Sequence, residues 1–470
     1  MKELIAKLKK DTSYSKDIIY RQKEINNKHL TIIFNEPLVS TQTISDFVIR
    51  SLNKIKGNNL FLEITNNISS FKWIEITRYS DISFYLNFGF TIILIHEENK
   101  IIALETKANL ERSISTPDTE ASIRGAKDAF VENIQQNIGL IKKRIRHNDI
   151  NIKKKFIGKY TNTQIAIISI SSICKKKLIN QVMAKINKIN IDGIINGEQI
   201  KNLIEKSNFP LPTILTTERP DIASNALLQG KVVIVVDNSP YALIIPGLFY
   251  DFFKTPEDFY SKNLNTSFTR IIRYIAFFIA LLTPALYLSL ITYNQEIVPF
   301  KLLVNFAMQR DSVPFPAFFE AFLMLIAFEI LREGDIRVPS SLGSSLSIVG
   351  ALILGDAAVA AGIVSPIMII VIAITSISSL PFNEIDITNG LRLYRIFFML
   401  GASFFGIIGI VIVFLIFLIN LTSKDIFDVP YLVPYSPFSK NAIMDSIIKT
   451  KKNNKRNEYL SNNTIKGRDQ

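Results

Sequence analysis

The chain has 470 residues, 48% of them hydrophobic, and a formal net charge of +13. Its single cysteine, Cys174, excludes an intramolecular disulfide, and the lysine-rich first residues lack the apolar core of a signal peptide. Residues 1–270 carry 38 Lys and Arg against 27 Asp and Glu, whereas residues 271–470 carry 16 against 14. We therefore expect a basic soluble region followed by a membrane region.

The basic charge does not by itself indicate a nucleic-acid partner. The sequence contains no zinc-finger spacing, no aromatic RNP-type motif and no basic-region helix. An excess of Lys and Arg on a domain tethered to a bilayer agrees with the positive-inside rule. We expect no nucleic acid as a partner, and we expect the basic region on the cytoplasmic side.

The soluble region begins with a polar segment, residues 1–29, which is predicted to be a mobile arm or a short helix. A strand at 30–34 and an amphipathic helix at 42–55 follow. Two apolar runs, 90–95 and 101–104, are separated by a connector typical of a hairpin loop.

The same order of elements occurs again further along the chain. A strand at 165–170, a helix at 175–189 and a strand hairpin at 232–245 lie roughly 135 to 140 residues after their counterparts, which is typical of a duplicated unit. Between the copies, residues 112–146 open with turn and cap residues and become helical from Asp128, with apolar side chains on one face. A chance likeness between two generic α/β patterns is the alternative to duplication.

The predicted fold class is an α/β N-terminal soluble region, with two similar α/β subdomains joined by a helical connector, followed by an α-helical transmembrane domain. The predicted boundaries are 1–29 for the basic arm, 30–110 for the first subdomain, 111–150 for the connector, 151–262 for the second subdomain, 263–420 for the membrane domain and 421–470 for a basic tail.

The membrane domain contains four apolar segments, and about 20 apolar residues cross a bilayer as a helix. Segment 315–331 carries Glu320 and Glu329, so it either crosses or lies in the interface. Five crossings, the preferred arrangement, put the tail outside, and four crossings put it inside. The segments are 271–293, 315–331, 342–381 (long enough to cross twice) and 396–420.

Asp356 is the only formal charge between residues 342 and 381. The first half of this stretch is rich in Gly, Ala and Ser, which let transmembrane helices approach closely. A carboxylate inside a membrane is costly and marks a candidate functional position.

The sequence indicates no catalytic or metal chemistry. The three histidines, His29, His96 and His147, have no second His or Cys at ligand spacing. There is no GxxxxGK[ST] phosphate loop, no GxGxxG opening a helix and no GxSxG elbow. We expect no enzyme activity, no cofactor and no metal.

Several ordered motifs resemble the spore germination receptor A-subunit family (the GerA family), and the resemblance covers residues 30–438. In the connector they are Arg112-Ser113, Pro117, Thr119-Glu120, Arg124-Gly125, Phe130 with Glu132-Asn133, Asn137-Ile138 and Arg144-Ile145. In the second half they are segments 253–260, 312–324, 331–340, 348–368 and 429–438.

The resemblance implies a multi-pass protein of the spore inner membrane with its N-terminal domain on the spore-core side. It implies a B subunit that resembles amino-acid transporters and binds the nutrient, a lipoprotein C subunit, and contact with membrane lipid. It also implies a homo-oligomeric ring that conducts monovalent cations when nutrient binds. The alternative function is a non-conducting scaffold for the transporter-like and lipoprotein subunits, and a secondary transporter would need inverted repeats that the sequence lacks.

A pore on a ring axis needs one small-residue helix per subunit and an apolar constriction. The helix near Ser344 to Ala361 is the candidate, with Leu354 or Val359 as the constriction. The alternative is a tightly packed helix pair in which Asp356 is hydrogen-bonded near a helix end. The predicted pore or gating residues are Ser344, Ser347, Ala351, Leu354, Asp356, Ala358 and Val359.

The family-motif residues of the connector are expected to hold the subdomains or neighbouring subunits in register through salt bridges and caps. A small-molecule pocket between the duplicated halves is a less favoured alternative. The predicted assembly residues are Arg112, Glu120, Arg124, Gly125, Glu132 and Asn133.

Overall fold

The computed structural model shows two antiparallel sheets followed by a helical region. The structure describes residues 1–26, 28–53, 55, 57, 59–68, 72–108, 117, 120, 122, 124–205, 209–337, 354–382, 384–438, 443, 446–449 and 459–461.

The first sheet has five strands in the order β1-β2-β4-β5-β3. Buried Ile and Leu side chains on both faces pack against the helices that flank it. The strands are β1 (Ile18–Ile25), β2 (Lys28–Asn35), β3 (Trp73–Glu75), β4 (Phe90–Ile95) and β5 (Lys100–Glu105). The helices are α1 (Lys2–Asp11), α2 (Thr41–Thr43), a π-helical run (Ile44–Ile49), α3 (Arg50–Leu52), α4 (Leu60–Asn67) and α5 (Tyr79–Asn87).

The prediction of a polar arm over residues 1–29 is wrong for its second half. Strand β1 pairs with β2 along its whole length, from Ile18 opposite Asn35 to Ile25 opposite Lys28. It lies at the edge of the sheet, so most of its side chains stay accessible to water and its sequence reads as polar. The short helix predicted as the alternative is present as α1, whose Leu8 is buried.

The second sheet repeats the topology of the first, in the order β6-β7-β9-β10-β8. Each strand therefore has a counterpart, five positions earlier, at the same place in the first sheet, which confirms the two similar α/β subdomains. The strands are β6 (Ile150–Ile157), β7 (Thr163–Ile170), β8 (Leu215–Thr217), β9 (Val232–Val236) and β10 (Ala242–Ile245). The helices are α6 (Ile134–Arg144), α7 (Lys176–Asn187), α8 (Gly197–Glu205) and α9 (Pro220–Leu228).

The connector helix α6 joins the two subdomains through a buried ion pair. Lys142 on α6 contacts the carboxylate of Asp17, just before β1, and also donates to Asn35 Oδ1 at 3.2 Å. Lys154 on β6 contacts Glu36 at 2.6 Å. These contacts fix the edge of the first sheet against the second subdomain.

The helical region follows a 3-10 turn at Phe249–Phe253. Two of the described helices, α11 and α16, are long and apolar enough to cross a membrane. The helices are α10 (Glu257–Tyr260), α11 (Asn263–Thr292), α12 (Phe300–Arg310), α13 (Ala317–Arg337), α14 (354–360), α15 (Pro366–Ile377) and α16 (Ile385–Thr422).

Helix α16 reverses direction at Gly406, where the backbone has φ 61° and ψ −138°. The rings of Tyr394 and Phe417 have centroids 4.7 Å apart, although 23 residues of straight helix would separate them by about 34 Å. Gly401 and Gly409 face each other so closely that a Cβ on Gly401 would lie 2.9 Å from the Gly409 carbonyl oxygen. The single span predicted over 396–420 is therefore wrong, because α16 is a helical hairpin with arms 385–405 and 407–422.

The helical region has a sheet end and a far end. Helix α11 starts at the sheet end and finishes where Tyr293 and Asn294 contact the hairpin tip at Gly406. Helix α13 runs back, from Glu320 beside Ser365 to Arg332 beside Thr388. Because both arms of α16 also run between the two ends, the chain leaves the helical region at the sheet end.

The segment after the hairpin packs against the second sheet. It forms the two-residue strands β11 (Asp425–Ile426) and β12 (Val429–Pro430), and the buried Tyr431 donates its hydroxyl to Pro212 O at 3.0 Å. Leu460 lies in the core below the second sheet, and Ser461 forms a β-bridge with Cys174. The preferred arrangement of five crossings with the tail opposite the sheets is therefore wrong, since the described part of the tail contacts the second sheet.

Replacing Gly409 by Ala tests the close approach of the two hairpin arms. The new Cβ would collide with the carbonyl group of Gly401, and overpacking of this kind costs about 1–3 kcal/mol. We expect G409A to lower the unfolding temperature of the detergent-purified protein. Gly334→Ala is the matched control, because a Cβ on Gly334 meets nothing within 4 Å. Equal unfolding temperatures for G409A and the wild type would contradict the hairpin.

Candidate functional site

A buried carboxylate joins the second subdomain to the first long apolar helix. Asp258 on α10 accepts hydrogen bonds from Arg270 Nε at 2.8 Å and from Arg273 Nη1 at 2.9 Å. All three side chains are largely buried. Burial opposes the charged form of Asp258, but the two guanidinium groups outweigh it and lower the pKa of this carboxyl. Because removing one partner would leave an uncompensated buried charge, this cluster fixes the start of α11.

A second buried cation holds the start of the α16 hairpin. Lys201 on α8 has a side chain only 2% exposed, and its Nζ lies 3.0 Å from Glu384 Oε1 and 2.9 Å from Thr216 Oγ1. It also pairs with Asp386, in the first turn of α16. Burial opposes the charge of Lys201, but the surrounding carboxylates outweigh it and raise its pKa. The second subdomain therefore holds both long helices at the sheet end.

Glu120, one of the predicted assembly residues, ties its loop to strand β8. Its carboxylate accepts the Thr217 hydroxyl at 2.6 Å and the Glu218 backbone N–H at 3.0 Å. Its carbonyl oxygen accepts from Arg219 at 3.1 Å, and the buried Arg219 pairs with Asp221 at 2.8 Å. Glu120 therefore acts within the protomer, between its loop and the second sheet.

A small cavity of about 50 Å³, with both charged and apolar lining, lies between these groups. Glu120, Lys254 and Glu384 line it together with Lys231 and Asp251, which pair with each other. Burial raises the pKa of Glu120 to about 7 and that of Glu384 to about 7, and burial lowers the pKa of Lys254 to about 8. Several groups at this junction consequently have pKa values close to neutral pH, and the cavity is large enough to hold water.

Of the remaining predicted assembly residues, Gly125 lies at the edge of the group formed by Glu120 and Arg219, and the other described ones lie apart from it. A Cβ on Gly125 would be 2.7 Å from Arg219 Nη2. Asn133 caps α6, accepting the backbone N–H groups of Gln135 and Gln136. Arg124 and Glu132 are exposed, and Arg112 lies outside the described residues.

The predicted pore residues fall in two groups. Ser344, Ser347 and Ala351 lie outside the described residues, whereas Leu354, Asp356, Ala358 and Val359 lie on α14. Ala358 is buried with Gly355, on the face of α14 that packs on α15, and Leu354 is 36% exposed. The small-residue helix pair is therefore present, and its opposite face is open.

The open face of α14 carries Asp356, Ala357 and Ala360, which are all exposed. Among the residues that the structure describes, none forms a hydrogen bond or an ion pair with Asp356. The described part of the chain therefore does not support the alternative, in which Asp356 is hydrogen-bonded near a helix end. Leu354 and Ala361 border this open face, whereas Ala358 does not belong to it.

Glu320 is a structural group that the sequence pattern did not indicate. It lies in the apolar helix α13, is 0% exposed and accepts the Ser365 backbone N–H at 2.7 Å and the Ser365 hydroxyl. Arg310 approaches its second oxygen at 3.7 Å. The sequence does show a charged residue in an apolar run at this position. It does not show the partner, because Ser365 lies 45 residues farther along the chain. The ion pairs of Lys201 and Arg273 were not predicted either. Lys201 pairs with Glu384, which is distant in sequence, and Arg273 pairs with Asp258, which precedes the start of α11.

A family model described as Bacillus/Clostridium GerA spore germination protein matches residues 6–459. The chain belongs to this family. The resemblance noted in the sequence is confirmed, and for the GerA family it extends into the first helix and the C-terminal segment.

Curated relatives of this GerA-family chain match most of its length. Spore germination protein KA of Bacillus subtilis (strain 168) is 37% identical over 95% of this chain and 83% of its own. Spore germination protein A1 of the same organism is 35% identical over 80% of this chain and 79% of its own. Spore germination protein XA of Bacillus anthracis is 34% identical over 82% and 78%.

One solved structure is similar to the N-terminal part. It is the crystal structure of the N-terminal domain of the A subunit of the Bacillus megaterium spore germinant receptor GerK3. It is 26% identical, with a TM-score of 0.41, and the match covers 53% of this chain and 95% of that one.

The substitution Glu120→Gln tests the titration of the junction. Because burial raises the pKa of Glu120 from 4.5 to about 7, the folded state binds more protons than the unfolded state between these values, and stability falls as the pH rises through this range. Gln keeps an acceptor for Thr217 but does not titrate. We expect E120Q to lose less stability than the wild type between pH 5 and pH 8, measured as unfolding temperature in detergent.

The control for this measurement is Glu132→Gln, which changes an exposed carboxylate of the same connector. E132Q should follow the wild-type pH dependence. Parallel curves for E120Q and the wild type would contradict the assigned burial of Glu120.

Proposed function

We propose that this chain is a subunit of a nutrient-responsive spore germination receptor, in which several copies form an ion-conducting membrane channel. Nutrient binding to a partner subunit opens the channel and releases monovalent cations. Membership of the GerA family and the spore germination relatives support the receptor role. The exposure of Asp356 on an apolar helix supports the channel.

The proposed membrane placement follows from the direction of the helices. Helices α11, α13 and α15 and the two arms of α16 run alternately between the sheet end and the far end, and the described part of α14, residues 354–360, runs toward the far end. We count each of these as one pass, which makes six. The sheets and the C-terminal segment then lie on one side, the spore-core side of the inner membrane. Arg332 and Arg392 lie toward the same side, as the positive-inside rule favours.

Asp356 is the observation that carries the channel proposal. It lies one and a half turns before the far-end turn at Gly362, on a face that no described residue of the protomer covers. A carboxylate facing acyl chains is costly, so membrane carboxylates face a protein interior or water. A ring of copies that turn the α14 faces toward a common axis would give Asp356 water and would attract cations.

The exposed side chains next to Asp356 suit an axial position. Ala357 and Ala360 are small, so helices around an axis can approach closely there. Leu354 is the bulky residue at the edge of this face, and Val359 is half-buried beside it. Leu354 is therefore the preferred constriction, which closes by excluding water.

The proposed partners are a B subunit that resembles amino-acid transporters and a lipoprotein C subunit. The nutrient site belongs to the B subunit in this proposal. The junction would instead transmit the B-subunit signal, since it fixes the second subdomain to both long helices. The exposed Arg124 and Glu132 are proposed assembly contacts between subunits.

Shortening the side chain at the proposed constriction tests the channel role in spores that carry the complete receptor. Leu354→Ala widens the closed pore and makes it easier to hydrate, so cations should leak and spores should germinate without nutrient, at a rate several-fold above wild type. Val359→Ala should have a smaller effect. Ile370→Ala is the matched control, because Ile370 is an exposed apolar residue on α15.

The purified full chain in liposomes separates the channel from a scaffold. A channel predicts a cation flux that L354A increases and I370A does not. A scaffold predicts no flux from any variant, and wild-type spore behaviour of both L354A and V359A would contradict the pore assignment.

A further inference from the structure

We propose that the chain binds an anionic phospholipid in a cleft between α13 and the first arm of α16. The cleft has a volume of about 440 Å³ and opens to the surface of the helical region. Glu329, Arg392 and Arg395 line one part of it, and Phe322, Ile326 and Ile396 line another. This inference rests on the membrane placement proposed above but is independent of ion conduction.

Arg395 is the residue that indicates an anionic ligand. Its side chain is 4% exposed, and its Nε donates to the carbonyl oxygen of Ala280 on α11 at 2.8 Å. A guanidinium has five N–H donors, and the described residues offer Arg395 no other hydrogen bond and no ion pair. The carboxylate that acts on its charge, Glu329, is already paired with Arg392. A buried cation that is only partly compensated is costly, so the remaining donors of Arg395 favour an anion inside the cleft.

The charged side chains that line the cleft are two guanidinium groups and two carboxylates, and a third guanidinium lies beside them. Arg392 pairs with Glu329 at 2.9 Å, and Arg332 is held near the same group by Thr388 at 3.4 Å. Glu333 also lines the cleft. Arg332 is outside the lining, so it is the unused donors of Arg395, and not a net charge of the lining, that favour an anion.

The apolar part of the cleft favours a lipid over a free phosphate ion. Phe322 and Ile326 lie on α13 one to two turns farther from the sheet end than Glu329, and Ile396 faces them from α16. Most of the cleft surface is apolar, which suits an acyl chain. Basic pockets between transmembrane helices on the cytoplasmic side are known to hold anionic lipid headgroups.

The orientation of the cleft matches a lipid of the leaflet beside the sheets. Of its charged lining, Glu333, Glu329 and Arg392 lie toward the sheet end, where Arg332 of α13 contacts Thr388 of α16, and Arg395 lies about one turn farther along α16. Its apolar part points toward the middle of the helical region. The headgroup would therefore lie at the sheet side, and one acyl chain would lie between the helices.

Native mass spectrometry of the detergent-purified full chain tests the site. After delipidation, the protein is titrated with phosphatidylglycerol, with phosphatidylcholine of the same acyl chains, and with inorganic phosphate. We expect one phosphatidylglycerol per chain and at least tenfold weaker binding of phosphatidylcholine. Inorganic phosphate should not bind at these concentrations.

Two variants and two controls assign the binding to the cleft. Arg395→Gln removes the cation, and Ile396→Trp fills the apolar part, so each should weaken phosphatidylglycerol binding at least tenfold. Lys301→Gln and Ile408→Trp change an exposed cation on α12 and an exposed apolar residue of the second arm, outside the cleft. Both controls should bind like the wild type, and elution volume and unfolding temperature without lipid verify that each variant is folded.

Three results would overturn the inference. The first is equal binding of the two phospholipids, and the second is unchanged binding by folded R395Q and I396W. The third is that a second copy of the chain occupies the cleft. Ile330→Cys tests this, because Ile330 lines the cleft, is exposed and would carry the accessible thiol of a chain whose native Cys174 is buried. Disulfide-linked dimers of I330C in native membranes would show that a neighbouring subunit, and not a lipid, occupies the cleft.

Discussion

The buried carboxylate of Asp258 between Arg270 and Arg273 is the interaction on which the rest of the structure depends. Two cations and one anion are withdrawn from water together, and each needs the others to remain stable there. Arg273 also donates to the Phe253 carbonyl oxygen at 2.8 Å, so the end of the second subdomain and the start of α11 form one unit. A displacement of the second sheet must therefore move α11.

The same end of the molecule holds the other long helix and the C-terminal segment. Lys201 fixes the start of α16, and the chain that leaves the hairpin returns to the sheet through Tyr431. Helix α14 has no such anchor among the described residues, and it packs on α15 through Gly355 and Ala358. The structure thus combines a fixed frame with one small-residue helix whose outer face is open, which is the combination that a gated path needs.

The sequence predicted the features that depend on local pattern. Continuous apolar runs predicted strands β2, β4, β5, β7, β9 and β10, and their repeated order predicted the duplication, whereas strands β3, β6 and β8 were not predicted. Strand β1 was missed because an edge strand exposes polar side chains, and its pairing partner β2 decides its structure. The hairpin was missed because an apolar run of this length has the composition of one span, and only the close approach of Gly401 and Gly409 shows the reversal.

The candidate site was predictable in part. Glu120 was identified from a motif and Asp356 from its isolated charge. In the structure Glu120 accepts the hydroxyl of Thr217 on β8, and Asp356 lies on the exposed face of α14. The ion pairs of Lys201 and Glu320 were not predictable, because each joins groups that are distant in sequence and that only the tertiary fold brings together. Glu120 was predicted to hold subdomains or neighbouring subunits in register. Its carboxylate instead binds its own loop to strand β8 of the same protomer.

Thiol accessibility of the open α14 face tests the central claim most directly, because the native Cys174 is buried and gives little background. Ala357→Cys and Ala360→Cys are labelled in the complete receptor with a charged, membrane-impermeant reagent, and Ile408→Cys, exposed on the second arm, is the comparison. If the face lines a water path, both α14 cysteines react, faster after nutrient addition, while I408C stays unmodified. If both α14 cysteines are as unreactive as I408C in every state, the face contacts lipid and the account is contradicted.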